Sequence, residues 1–404
     1  MSKINNKKSL ALGIVLGIIL MLIVALIYNS YTHRQQWGGM PDPNTKIMEI
    51  YELINRFSIL PFDKTEMLEN MYRGFLDGLG DPYTQYFDRE ALQAFHVRTE
   101  GIYVGIGVMV MIDPEDRIVT IAVPFLGAPA ASVGLLPGDK IIAVEGVDVV
   151  GRPLEEVTGM IKGPEGSSVR LTILRPYENE RFDVDVPRAR VEIPTVFHEI
   201  HHLEEGRVGY IRIDGFERVT WPQFQMALAE LISDGIDSLI LDLRNNPGGL
   251  LDVVSNITNL LIPEGIITFT ENAQGERTYF RSTSEHLGLP LILLVNGRSA
   301  SASEVLSGAV QDVGAGLIVG EQTFGKGIVQ NLLYLSDGSA IKLTVAKYFT
   351  PSGASIHGVG VVPDVLVPMP EALSRQIGRG LELEDDIQLQ TALMIMQSRF
   401  QSQR

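Results

Sequence analysis

A run of small residues, Val295-Asn296-Gly297-Arg298-Ser299-Ala300-Ser301-Ala302-Ser303-Glu304, joins an apolar stretch to a helical one. The pattern predicts a strand end, a tight turn and a helix start. Small side chains let a substrate backbone approach closely, and the free N–H groups of a helix start can hold an oxyanion. A serine placed there can attack a carbonyl if a base is near. Residue types alone do not choose among Ser299, Ser301 and Ser303. A simpler reading also fits: Ser301-Ala302-Ser303-Glu304 is an S-x-x-E capping box, in which the serine merely caps the helix.

A base is offered by Gly320-Glu321-Gln322-Thr323-Phe324-Gly325-Lys326-Gly327. A lysine between two glycines, just after an apolar strand, is an unusual setting for a solvated ammonium. Burial would strip its hydration and lower its pKa, leaving a neutral amine near pH 7. Gln330 lies four residues on. If 326–330 is a strand, both side chains share a face, and Gln330 orients the amine as the third group of a triad does. The same stretch nearly matches the phosphate loop G-x-x-x-x-G-K-[ST], but Gly327 replaces the hydroxyl that would hold Mg²⁺.

A competing chemistry is written in His198-Glu199-Ile200-His201-His202, which satisfies H-E-x-x-H through His198 and His202. A zinc protease needs that motif on a helix, so that both histidines share one face. Pro194-Thr195-Val196-Phe197 before it and the strand pattern at 208–213 after it favour an extended segment, too widely spaced for one tetrahedral zinc. No metal or other cofactor is expected.

The elements around these residues predict a multidomain α/β chain. Residues 1–30 hold a basic tip and an apolar run; 31–99 hold a Gly/Pro linker and two amphipathic helices. The second of these sets Leu68, Met71, Tyr72, Phe75, Leu76 and Leu79 on one face, a packing role, and ends at Gly80 with an Asp81-Pro82 turn. Residues 100–187 read as a compact β-rich domain with two short helices. From 188 to 370, strands at 208–213, 238–243, 289–295 and 317–319 alternate with helices, the mark of an α/β layer structure. The tail, 371–404, looks helical and polar.

Composition narrows the classes. The 404 residues carry 33 Lys+Arg against 49 Asp+Glu, a net charge of −16, which disfavours nucleic acid as a partner. There is no cysteine, hence no disulfide, thiolate metal site, cysteine nucleophile or lipid-modified N-terminal Cys. Lys3, Lys7 and Lys8 precede 19 uncharged residues from Leu10 to Tyr28, about a bilayer's thickness. The run has no small-x-small cleavage site. It is expected to be an uncleaved anchor with its N-terminus in the cytoplasm and the rest of the chain outside it.

Several motifs in one order resemble the carboxyl-terminal processing, or tail-specific, proteases: Asp242-Leu243-Arg244-Asn245-Asn246-Pro247-Gly248-Gly249, then Ser299 to Glu304, then Thr323-Phe324-Gly325-Lys326-Gly327 with Gln330, then Tyr348 to Gly353 and Gly360 to Asp364. The resemblance spans about residues 45–370. It implies Ser301 as nucleophile, Lys326 as general base and Gln330 as the residue that orients it, with Ala302 and Gly248 N–H groups as the oxyanion hole. Asp312 matches a supporting acidic position, and Pro247 departs from the small residue often found there, which leaves the glycine donor open. Tyr103-Val104-Gly105-Ile106-Gly107-Val108 and Gly134 to Ile141 resemble a PDZ domain. That implies protein substrates bound by their C-termini, with the carboxylate on the loop of Gly105, Ile106 and Gly107. Members of the family often dimerise, so a second copy is a further expected partner. A non-catalytic PDZ scaffold is the remaining alternative, and the intact Ser301, Lys326 and Gln330 argue against it.

Overall fold

The computed structural model describes residues 18, 20–25, 42–283, 285–378 and 380–402. The expected anchor, Leu10 to Tyr28, falls largely outside them. No helix among the described residues is long and apolar enough to cross a membrane.

The chain divides at Met71/Tyr72 into two units. In the first lies α1 (Pro43–Phe57), started by Asp42, whose side chain accepts the Asn44 N–H, and by Pro43 in the first turn. It has no buried residue; Met48, Leu53 and Phe57 are exposed. The second unit opens within α2 (Lys64–Asp77). Here the expected packing face fails: Leu76 is buried, but Tyr72, Phe75 and Leu79 are exposed. After the turn at Asp81 come strand β1 (Gln85–Phe87) and α3 (Arg89–Glu100), capped by the Asp88 carboxylate and closed by Gly101 in the left-handed region.

A β-rich module follows. Its elements are β2 (Ile102–Gly105), β3 (Val108–Ile112), β4 (Val119–Pro124), α4 (Pro129–Ser132), β5 (Lys140–Val144), β6 (Val147–Asp148), α5 (Leu154–Ile161), β7 (Ser168–Arg175), β8 (Glu180–Pro187) and β9 (Ala189–Glu192). The sheet runs β3-β4-β5-β7-β8, so β3 is an edge strand. The module's two ends meet as the antiparallel pair β2·β9, with Gly105 opposite Ala189. Its core holds Ile106, Ile121, Ile141, Val157, Ile161, Leu171 and Ile173, apart from the core of the rest.

The α/β core comprises β10 (Val196–His202), β11 (Arg207–Ile213), α6 (Thr220–Ser233), β12 (Ser238–Asp242), α7 (Leu251–Leu261), β13 (Gly265–Asn272), β14 (Arg277–Ser282), β15 (Leu291–Val295), α8 (Ala302–Asp312), β16 (Leu317–Gly320), β17 (Ile328–Tyr334), β18 (Ala340–Phe349) and β19 (Val365–Leu366). The main sheet, β10-β11-β12-β15-β16-β19, is parallel from β11 to β19. A second, antiparallel sheet joins β1, β18, β13 and β14, with β17 also on β18. Strands alternate their side chains between two faces. Ile211, Leu239, Leu241, Leu293 and Val295 pack with Phe224, Leu228, Val254, Ile257 and Leu306 of α6, α7 and α8.

The other face corrects the reading of the tail. After α9 (Glu371–Ser374), helix α10 (Ile387–Ser402) packs Leu389, Ala392, Leu393, Met396 and Phe400 against Val208, Tyr210, Ile240, Ile292 and Leu294. The tail is thus the second layer over the sheet. Just before α10, Asp386 takes the guanidinium of Arg244 at 2.7 and 2.8 Å, and Asp242 takes it from the other side at 2.6–3.0 Å. All three are buried. Removing one partner strands a buried charge, so Asp386→Ala should lower unfolding free energy by about 3 kcal/mol in urea titrations. A change under about 0.5 kcal/mol would mean that the network carries no stability.

Candidate active site

Parallel strands point their C-terminal ends to one edge, where loops can converge. Here β12 delivers Asp242 to Gly249, β15 delivers Asn296 to Glu304, and β16 delivers Glu321 to Lys326. The loops are laced together: the Ser299 hydroxyl donates to the Leu243 carbonyl at 2.8 Å, the Ala300 N–H to the Asn246 carbonyl at 3.0 Å, and the Phe324 N–H to the Ser299 carbonyl at 3.0 Å.

That lacing separates the three serines. Ser299 is fully buried, its hydroxyl also accepting the Asn296 N–H. Ser303 is fully buried and donates to the Asn246 carbonyl at 3.0 Å. Ser301 is half-buried and heads α8 as its N-cap. The capping box is present, with the Glu304 carboxylate accepting the Ser301 N–H at 2.8 Å. Capping and reaction are not exclusive here. Ser301 has φ 56° and ψ −111°, a positive-φ conformation outside the regions open to most non-glycine residues and one that a helix cap does not need. Such strain is held at sites that must aim a side chain.

Glu304 does more than close the box. Its Oε1 accepts the Thr323 hydroxyl and the Gly325 N–H, both at 2.6 Å, and its Oε2 accepts the Lys326 N–H at 2.8 Å as well as that of Ser301. Two 2.8 Å bonds to one oxygen confine the Ser301 and Lys326 backbone nitrogens to within twice that length, 5.6 Å. The sequence reading saw Glu304 only as a cap. Its other donors lie about twenty residues away in the chain, and no local spacing announces them.

Lys326 sits just before β17, not on it, so the expected shared strand face with Gln330 is replaced by a loop-to-strand arrangement. The flanking glycines serve close approach: a side chain at Gly327 would collide with the His357 nitrogen, and Gly325 lies against Gly358, Val359 and Gly360. Lys326 Nζ stands 4.9 Å from the centre of the Tyr83 ring. Burial pushes its pKa down; Asp81 and Glu304 pull the other way. The Gln330 amide nitrogen donates to the Tyr83 carbonyl. The Asp81 turn, read from sequence as part of a packing segment, therefore lines the site.

The Ala302 N–H, first of α8, has no intrahelical acceptor. Gly248 faces it: a Cβ there would lie 2.8 Å from Ser301 Cβ and 3.0 Å from the Ala302 nitrogen. The Gly248 N–H itself donates to Asn246 Oδ1 at 2.8 Å. Asp312 accepts the Ser352 N–H at 2.8 Å, a bracing contact as expected.

His198 and His202 lie on β10, an extended strand, so the helix that H-E-x-x-H requires is absent from that segment. His198 Nε2 is 2.9 Å from Glu230. In the β-rich module, Gly105 ends β2 and a side chain there would strike the Tyr103 ring. The Ile106 carbonyl accepts the Ala130 N–H at 2.8 Å, and the Gly107 carbonyl that of Phe125 at 2.9 Å. The Gly107 and Val108 N–H groups face the Tyr103 hydroxyl, whose pKa burial raises.

An α/β core that brings a half-buried serine at a helix start and a lysine of lowered pKa to one end of its parallel strands has the parts of a serine hydrolase. Comparison with known proteins specifies which. The model of peptidase family S41 matches residues 207–367, and a PDZ-domain model matches residues 124–175. A carboxyl-terminal-processing protease of Picosynechococcus sp. is 36% identical over 319 residues, covering 79% of this chain and 76% of its own. One from Synechocystis sp. is 38% identical over 320 residues, covering 79% and 74%. A solved putative S41 protease from Bacteroides fragilis aligns over 81% of this chain and 90% of its own, at 15% identity and a TM-score of 0.52, a likeness of fold. The chain belongs to the carboxyl-terminal processing proteases of peptidase family S41, serine proteases, and carries a PDZ domain ahead of its S41 core.

Proposed function

We propose that the chain is a membrane-anchored endopeptidase that takes protein substrates by their C-termini on the PDZ domain and cuts them with Ser301 and Lys326. The observation that carries the chemistry is the Glu304 carboxylate, whose Oε2 binds the backbone N–H of both residues. Neutral Lys326 accepts the Ser301 proton as Oγ bonds to the scissile carbonyl carbon. The oxyanion is held by the Ala302 N–H and by Gly248, whose N–H is then shared with Asn246 Oδ1. The C–N bond breaks as the Lys326 ammonium returns its proton to the leaving amine. Water then attacks the acyl-enzyme, with Lys326 again the base, and Ser301 is regenerated. Gln330 orients the amine.

Substrate capture rests on β3, an edge strand of its sheet among the described residues, to which a substrate strand can be added. The lysines ahead of the apolar run at Leu10 to Tyr28 support the anchor and an extracytoplasmic catalytic domain. A homodimer belongs to the same reading. The expected result is that the enzyme cleaves an unfolded reporter with a free apolar C-terminus, unaffected by EDTA or phenanthroline or by the double change His198→Ala with His202→Ala. Amidating the reporter's C-terminus should weaken its binding in calorimetry about tenfold or more. Chelator inactivation reversed by zinc would overturn the serine mechanism, and equal binding of amidated and free reporters would overturn carboxylate capture.

A further inference from the structure

We propose that the Asp81–Thr84 turn forms a third side of the catalytic centre, with Tyr83 as its positioning residue: its carbonyl fixes the Gln330 amide and its ring covers the Lys326 amine. This rests on the Ser301–Lys326 reading. The turn lies outside the residues matched by the S41 model.

The sequence builds it locally. Asp81 Oδ1 accepts the Tyr83 N–H at 3.0 Å and Oδ2 accepts the Thr84 hydroxyl at 2.7 Å, the side-chain bonding by which aspartate closes a turn. Pairing then carries it to the site. Strand β1 starts at Gln85, opposite Lys342 of β18, and two residues further along β18 Thr344 lies opposite Gln330 of β17. The Thr344 N–H reaches the Thr84 hydroxyl at 3.4 Å. The turn is thereby held beside Gln330 by a strand register, not by a loop.

The chemistry follows from the amide. A glutamine has a donating and an accepting end. With Nε2 given to the Tyr83 carbonyl, Oε1 is turned away from that carbonyl and can accept from the Lys326 amine. An amine whose N–H groups are directed to acceptors keeps its lone pair for the serine proton. The reversed amide would present N–H groups that compete for that lone pair.

The ring acts on the same nitrogen. It excludes water, which disfavours the ammonium, and its π face attracts a cation, which favours it. Among the described residues Asp81, Glu304, Tyr83 and Lys342 face Lys326, and the pKa of Lys342 is itself pushed down by burial and by the Lys326 charge. Desolvation leads among the influences on Lys326, and the ring, its centre 4.9 Å from the nitrogen, is taken as part of the cover that produces it, so that the ring favours the neutral base.

The test is the pH dependence of kcat/KM on a peptide reporter. Tyr83→Phe keeps the ring and the carbonyl and should stay within about twofold of wild type at every pH. Tyr83→Ala keeps the carbonyl but admits water. Its acid limb should move up by about half a pH unit or more, with kcat reduced and KM changed less than kcat. A structural lesion would scale the whole profile down without moving the limb. An unmoved limb in Tyr83→Ala, or a Tyr83→Phe enzyme as impaired as Tyr83→Ala, would overturn the proposal. Ser301→Ala run in parallel separates the two readings. If it still cleaves, the Ser301–Lys326 mechanism fails; if it is dead and the Tyr83→Ala limb stays put, the turn's role alone fails.

Discussion

Ser301→Ala should lower cleavage of an unfolded reporter by about a thousandfold or more while the protein stays folded. The change removes Oγ, the atom that would form the acyl bond. It leaves the Ser301 N–H on Glu304, and so the link between the helix start and Lys326. As a cap alone, the serine is worth only about 1 kcal/mol. A modest loss of stability with total loss of turnover therefore separates nucleophile from cap. A companion substitution attacks the same event with the serine in place. At Gly248→Ala the new methyl would stand 2.8 Å from Ser301 Cβ and from the Ala300 carbonyl, and 3.0 Å from the Ala302 nitrogen, at a φ of 103° that alanine resists. It would occupy the space where an oxyanion meets its donor, and removing one such donor typically costs a hundredfold or more. Retention of a tenth of wild-type turnover by Ser301→Ala would end its assignment as nucleophile, and full activity in Gly248→Ala would remove the oxyanion site from that corner.

How much of this was legible depends on how far apart in the chain the partners lie. A helix from about Ser301, apolar strands at 238–243 and 289–295 and short helices at 128–132 and 154–161 are expected from local periodicity and turn chemistry. The elements form within a residue or two of those bounds, the helix from 302, the strands at 238–242 and 291–295 and the short helices at 129–132 and 154–161. Residue types alone do not decide among Ser299, Ser301 and Ser303; only the family resemblance points to Ser301. What sets Ser301 apart in the structure is that the Leu243 and Asn246 carbonyls take the hydroxyls of the other two from a loop more than fifty residues away. The same holds for Glu304, whose S-x-x-E position disclosed one of four hydrogen bonds, and for Tyr83, which reaches Gln330 across 247 residues. The tail misled because α10 carries glutamines among its apolar residues. Gln388 is nonetheless fully buried, its Oε1 accepting from Arg244 at 3.2 Å and its Nε2 donating to the Val367 carbonyl. A polar residue with both ends satisfied can sit in a core, and composition alone cannot see the partners.

Lys326→Arg should be as inactive as Lys326→Ala. A guanidinium keeps the charge but does not deprotonate in a protein, so it cannot accept the Ser301 proton. In the wild type, kcat/KM should rise with pH as one group deprotonates, at an apparent pKa well below the free lysine value of about 10.4. The cause is burial, opposed by Asp81 and Glu304. The same displacement has a sign in stability. With the folded pKa lowered, the unfolded chain binds the extra proton between that pKa and about 10.4, so stability rises with pH across that window and the full cost of the buried ammonium is felt below it. Lys326→Met removes the cost. It should be inactive yet more resistant to urea than wild type at low and neutral pH, with the difference shrinking as pH climbs towards 10.4. Activity and stability move in opposite directions in that variant, which a lysine serving structure would not allow. An active Lys326→Arg enzyme, a flat kcat/KM profile, or a Lys326→Met protein less stable than wild type near pH 7 would each place the base elsewhere.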